Sequence, residues 1–147
     1  MINIQTYFDL EELVCKHVYD KYGDIAWSWF DPRFLETIYW IREKMNTPMF
    51  ANDYAYGGKI TQRGLRCNIC QLVKDATEKE RVYMTSHLRG QAGDFIFQGM
   101  VAKEVREWIM KKSLFLPHPI RLENKVNWIH IDVSVNDRKQ MVTLFNP

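Results

Sequence analysis

The chain has 147 residues, 46% hydrophobic and 26% charged, and its 20 Lys and Arg against 18 Asp and Glu leave a formal net charge of +2. That length and composition fit one soluble globular domain over residues 1–147, large enough to bury a core of its own. A basic excess this slight and scattered excludes a nucleic-acid-binding stripe, and no apolar run is long enough for membrane insertion. The opening "MINIQTYFDLEELV" lacks a basic segment followed by an apolar core, so no secretory signal is expected. Three cysteines, an odd number, argue against a disulfide framework and for synthesis in a reducing compartment.

In chain order, residues 8–22, "FDLEELVCKHVYDKY", space Leu10, Leu13, Val14 and Val18 as one helix that Gly23 would end. Cys15 falls within that pattern as a small core residue, and His17 among charged, exposed neighbours. Asp31 and Pro32 then suit the cap and first position of a second helix. Its apolar stripe is Phe34, Leu35, Ile38, Ile41 and Met45. Residues 48–75 read as irregular, punctuated by Gly57-Gly58, with short extended pieces near 49–52 and 59–62. Residues 94–98 read as a buried strand. "VAKEVREWIMKK", residues 101–112, reads as an amphipathic helix, and "IRLE", "WIHIDV" and "MVTLF" read as three antiparallel strands. Helices followed by strands predict an α+β fold, with N-terminal helices packed on a small antiparallel sheet.

The stretch "TSHLRGQAGDF", residues 85–95, sets His87 and Asp94 seven apart across Gly90 and Gly93. An aspartate at the mouth of the apolar run Phe95–Phe97 needs a compensating partner. A catalytic zinc takes three protein ligands and leaves one position open. His87 and Asp94 would supply two, and His130, inside the apolar strand "WIHIDV", a third. On spacing alone, each of the three is more often an ordinary residue: His130 of a core, His87 of a loop, Asp94 of a turn or cap. If "RLE" and "WIHID" pair through a loop at 124–127, Glu123 lies opposite Trp128 and Arg121 opposite His130. Side chains alternate along strands, so Arg121, Glu123, Trp128, His130 and Asp132 then share one face, with Glu123 diagonal to His130. Cys67 and Cys70, in "CNIC", lack a second such pair. They read either as packed thiols or, with His87 and His130, as a Cys2His2 site that would leave Asp94 unexplained.

These residues carry a family resemblance. "SHLRGQAGD" is similar to the His-x-x-Gly-x-Ala-x-Asp motif of the zinc D-Ala-D-Ala carboxypeptidase and L-alanyl-D-glutamate endopeptidase family, which includes phage endolysins and shares its fold with the hedgehog signalling domain. "WIHIDV" resembles the family strand carrying the last zinc ligand, and "QRGLR", residues 62–66, looks like its arginine-bearing turn, with Arg66 at the arginine. The resemblance covers about residues 45–135 and points to the phage or prophage branch. It implies Zn2+ held by His87, Asp94 and His130, and a peptidoglycan stem peptide as substrate, cut by a monomeric hydrolase. Such an enzyme would be made in the host cytoplasm and act on the cell wall after release, or as a virion component.

The carboxylate that works beside the metal is less uniform in the family. Many members place it three residues before the last histidine, where this chain has Asn127, which cannot act as a general base. Others carry a Glu at the end of the preceding strand, which matches Glu123; Asp132 is the runner-up. Arg66 would hold a substrate carboxylate or the tetrahedral oxyanion. Without a carboxylate in reach, the same fold would be a catalytically inactive zinc-binding virion or wall-binding module.

Overall fold

The computed structural model describes residues 2–134 and 139–147. Five α-helices, five short 3-10 helices and one open sheet of five strands make up its regular elements among the described residues, an α+β arrangement. The first predicted helix is broken in two: α1 spans Leu10–Leu13 and α2 spans Lys16–Tyr22. Val14 between them is extended and bridges to Leu65, with the Leu65 amide donating to the Leu13 carbonyl at 2.7 Å and the Cys15 amide to the Leu65 carbonyl at 2.9 Å. The apolar spacing runs through the break because both halves bury the same side.

Helix α3, Pro32–Met45, forms as its sequence demands. The Asp31 carboxylate accepts from the free Arg33 amide at 3.0 Å, Pro32 opens the first turn, and Asn46 ends the helix in the left-handed region. Its buried stripe, Phe34, Thr37, Ile38 and Ile41, packs on the sheet, with the Phe34 and Phe95 rings stacked at 6.3 Å. Helix α4, Gln71–Glu78, was not expected within the stretch read as irregular. Only Val73 and Ala76 of it are buried, too few to print a stripe. Helix α5, Ala102–Lys111, is amphipathic as expected and buries Val105 and Ile109, while Val101, at its cap, is exposed.

The strands are β1 (Met49–Phe50), β2 (Ala92–Phe97), β3 (Ile120–Glu123), β4 (Ile129–Asp132) and β5 (Val142–Phe145), ordered β1-β2-β4-β3-β5. The extended piece expected near 59–62 is instead a loop closed by Asp53, whose carboxylate accepts from the Ile60 amide at 2.8 Å. The last three strands are not all antiparallel: β4 runs against β3, but β5 runs parallel to it. The cause is topological. One side of β4 is taken by β2, so the returning chain adds to the outer edge of β3, in the direction of β3.

One sheet face is the core. Phe95 and Phe97, Ile129 and Ile131, and Ile120 and Leu122 alternate onto it and are 3% exposed or less. The opposite face receives Asp94, His130 and Asp132, Arg121 and Glu123. The buried apolar residues form a contiguous cluster that includes side chains from all five strands. No helix among the described residues is long and apolar enough to cross a membrane.

Candidate metal centre

His87, Asp94 and His130 come together on that second face. The strands β2 and β4 pair with Asp94 directly opposite His130, so two of the three meet through sheet register alone. His87 arrives from a short 3-10 turn, Ser86–Arg89, which Gly90 ends at φ +64 before the chain enters β2. A side chain at Gly90 would also collide with the Trp29 carbonyl, at 2.2 Å. Gly93 is not a turn residue but lies within β2, where the missing side chain leaves room for the Phe95 ring and, a little farther off, that of Phe34. The three residues are 3%, 8% and 8% exposed, and one donor atom from each lies within 4.8 Å of the others.

The orientation of each ring is fixed from outside. His87 Nδ1–H donates to the Gly64 carbonyl at 2.9 Å, which turns Nε2 towards Asp94 Oδ2 at 3.3 Å. His130 turns Nδ1 to Asp94 Oδ1 at 2.7 Å and its other nitrogen, Nε2, to Asp132 Oδ2 at 2.8 Å. Asp132 is wholly buried and is itself held by Arg121, through Nε at 3.0 Å and Nη2 at 2.9 Å. A carbonyl and a carboxylate behind two converging imidazoles is the outer arrangement that metal-binding histidines use to present a lone pair inward. Asp132 therefore faces the outer nitrogen of His130, the one turned away from Asp94.

The electrostatics suit a cation. Burial would push the Asp94 carboxyl up, but hydrogen bonds and charge from His130 and His87 hold it well below the usual carboxylate range. Burial also opposes charge on His130, yet Asp132 and Asp94 outweigh it and raise its pKa to about 9. Asp132, also buried, is lowered by His130 and Arg121. The centre thus holds positive charge between Asp94 and His130, where a proton and a divalent cation are mutually exclusive. Two imidazoles and a carboxylate are a donor set that could hold a metal ion, and zinc accepts such ligands.

The register that carries Glu123 is displaced from the expected one. Arg121 pairs with Asp132 and Leu122 with Ile131, which puts Glu123 level with His130 rather than Trp128. The shift is two residues, so the parity survives and Arg121, Glu123 and His130 still share a face. Together with Arg66, Arg89 and Trp128, they line a cleft of about 350 Å³ that reaches His87 and Asp94. The Glu123 carboxylate has no hydrogen-bond or ion-pair partner among the described residues, while its main chain belongs to the β3–β5 ladder. Asn127 is exposed in the β3–β4 loop and is not among the residues lining the cleft.

Arg66 reaches the centre, and it is more engaged than its sequence suggests. Its Nη2 lies 3.3 Å from Asp94 Oδ2, Nη1 donates to the Tyr83 hydroxyl at 2.8 Å, and Nε donates to the Gln62 carbonyl at 2.5 Å. The loop around it is stitched to the site by main chain: Asp94 N–H donates to the Arg63 carbonyl at 2.8 Å and Arg66 N–H to that of His87 at 3.1 Å. Sequence reasoning missed the Gly64 carbonyl, for which no side-chain signal exists, and placed Asp132 beside His130 by strand parity without showing its contact to the outer ring nitrogen.

Cys67 and Cys70 do not join His87 and His130 in a Cys2His2 site. They gather with Cys15 and His17 in a separate group. Comparison of the chain with protein-family models, with curated proteins and with solved structures finds no match in any of the three.

Proposed function

We propose that this chain is a zinc-dependent peptidase that cleaves an amide bond in peptidoglycan stem peptides, as phage-encoded endolysins do. The observation that carries the reading is the convergence of His87 Nε2, the Asp94 carboxylate and His130 Nδ1 at the foot of a cleft, each imidazole fixed by a partner on its other nitrogen. When bound, zinc supplies a Lewis acid that polarises the scissile carbonyl and acidifies the attacking water.

The chain's own residues supply the rest. Glu123, half-buried on the cleft wall with its carboxylate unpaired among the described residues, takes the proton of the attacking water and passes it to the leaving amine. Arg66 and Arg89 on the cleft lining favour a substrate rich in carboxylates, as stem peptides are. Asp132 and the Gly64 carbonyl keep the imidazoles aimed. The enzyme would act on the wall after release from the host cytoplasm, or from the virion.

A second reading, an inactive zinc-binding module of a virion or cell wall, is favoured by one feature: the Arg66 side chain is only 9% exposed and already bonded through all three nitrogens. Purified peptidoglycan separates the two. Release of free amines by the zinc-loaded protein, lost in His87→Ala and in Glu123→Gln, is expected, and mass spectrometry of the muropeptides identifies the bond. Full release by both variants would remove the mechanism, and no release by zinc-loaded wild type would leave the inactive module.

A further inference from the structure

Away from the cleft, three thiols and an imidazole meet where two distant segments of the chain are joined. Cys15 caps α2 and His17 lies in its first turn, while Cys67 and Cys70 form the turn that enters α4. The Val14–Leu65 bridge joins the pairs: the Leu65 amide donates to the Leu13 carbonyl and the Cys15 amide to that of Leu65, so Cys15 and Cys67 each lie two residues after a bridged leucine. All three cysteines are free, and one donor atom from each of the four residues lies within 4.8 Å of the others.

The separations have the dimensions of a coordination tetrahedron. Zinc–sulfur bonds of about 2.3 Å and zinc–nitrogen bonds of about 2.0 Å at tetrahedral angles put two sulfurs about 3.8 Å apart and a sulfur and a nitrogen about 3.5 Å apart. Cys67 Sγ and Cys70 Sγ are 3.9 Å apart, and His17 Nδ1 is 3.6 Å from the first and 3.8 Å from the second. The Cys67 amide points at Cys70 Sγ at 3.5 Å, a contact that favours a thiolate at that sulfur. Cys15 and Cys70 are buried at the margin of the apolar core, but core packing does not account for the exposed His17 imidazole turned to two of the sulfurs. As zinc ligands, with the thiol protons released to solvent, they close a four-ligand site.

We propose that Cys15, His17, Cys67 and Cys70 form a structural zinc site that ties the N-terminal helices to the loop bearing Gly64 and Arg66. All four positions are filled by protein, so this centre has no place for substrate. Its existence does not depend on the peptidase reading.

The test uses the full chain, purified with a reductant and loaded with zinc or cobalt(II). In the double variant His87→Ala/His130→Ala, one metal per chain remains, and the cobalt form shows sulfur-to-cobalt charge-transfer absorption. Cys67→Ser/Cys70→Ser loses that absorption. Because the cysteine variant can fail through misfolding, wild type is also read directly. Zinc-edge X-ray absorption shows sulfur neighbours, and alkylation of the three thiols slows several-fold when zinc is present. A metal with only nitrogen and oxygen neighbours overturns the proposal, as does thiol alkylation that proceeds equally fast with and without zinc. A thiolate-bound metal in a protein that releases no amine from peptidoglycan supports this site and counts against the peptidase alone.

Discussion

The two donor clusters of this chain are built on opposite plans. His87, Asp94 and His130 sit on a sheet face, two of them directly paired across β2 and β4, and every outer nitrogen is satisfied before any cation arrives. Cys15, His17, Cys67 and Cys70 stand at the entries of two short helices, joined by a single bridge, with His17 exposed. The first cluster is held by the scaffold, whereas in the second a bound ion would itself do the holding. A centre meant for chemistry gains from preorganised ligands, and a structural one from ligands that order only when filled.

The most severe change should leave both clusters intact. Glu123→Gln keeps the shape of the cleft and removes the proposed base, so the proposed hydrolysis of stem peptide is expected to fall by about 10²–10⁴-fold. Zinc content, measured by mass spectrometry, should stay at the wild-type level. Gly64→Ala strikes the joint between the clusters. A Cβ there would stand 2.0 Å from the Leu13 carbonyl oxygen, so the backbone must part, at about 3 kcal/mol of stability. Chemical denaturation reads that loss, and both metal sites should weaken together. If only one does, the clusters are less connected than the bridge implies.

Asp132→Asn should separate them. Losing the carboxylate behind His130 is expected to reduce metal affinity or activity about 10–100-fold at the sheet centre while the thiolate absorption of the cobalt form is unchanged. The smallest effect belongs to Asp31, which caps α3 and accepts from Gln91 at 3.0 Å beside the entry to β2. Asp31→Ala should cost about 1 kcal/mol by thermal unfolding. The Arg33 hydrogen bond, working against partial burial and helped by Gln91, lowers the Asp31 pKa to about 2. Because the folded value lies below the unfolded one, its contribution is complete above the ordinary carboxylate range and disappears as pH falls through about 2. Acid titration of wild type against the variant should show the two stability curves converging there.

Much of the scaffold was legible because its signals are local. Asp31-Pro32 and the stripe from Phe34 announced α3, and alternation placed Glu123, His130 and Asp132 on one face even though the register was off by two. The failures are non-local. Val14 leaves the helix to pair with Leu65, β5 takes the outer edge of β3 because β2 occupies β4, and α4 buries too little to show a stripe. The candidate centre divides the same way. His87, Asp94 and His130 stood out as polar residues in apolar or glycine-punctuated settings. Cys15 and His17 looked ordinary because their partners lie on another segment, brought close only by that same bridge.

The acceptor behind His87 is main chain, and this has a consequence for inheritance. Every amino acid supplies a carbonyl, so no substitution at position 64 can delete the group that selects the imidazole tautomer; it can only move it. The lineage of this protein can therefore lose that aim through displacement of a loop but never through loss of a functional group. Its sensitivity to mutation should be concentrated where backbones touch, at Gly64 against Leu13, rather than in the chemistry of any side chain there.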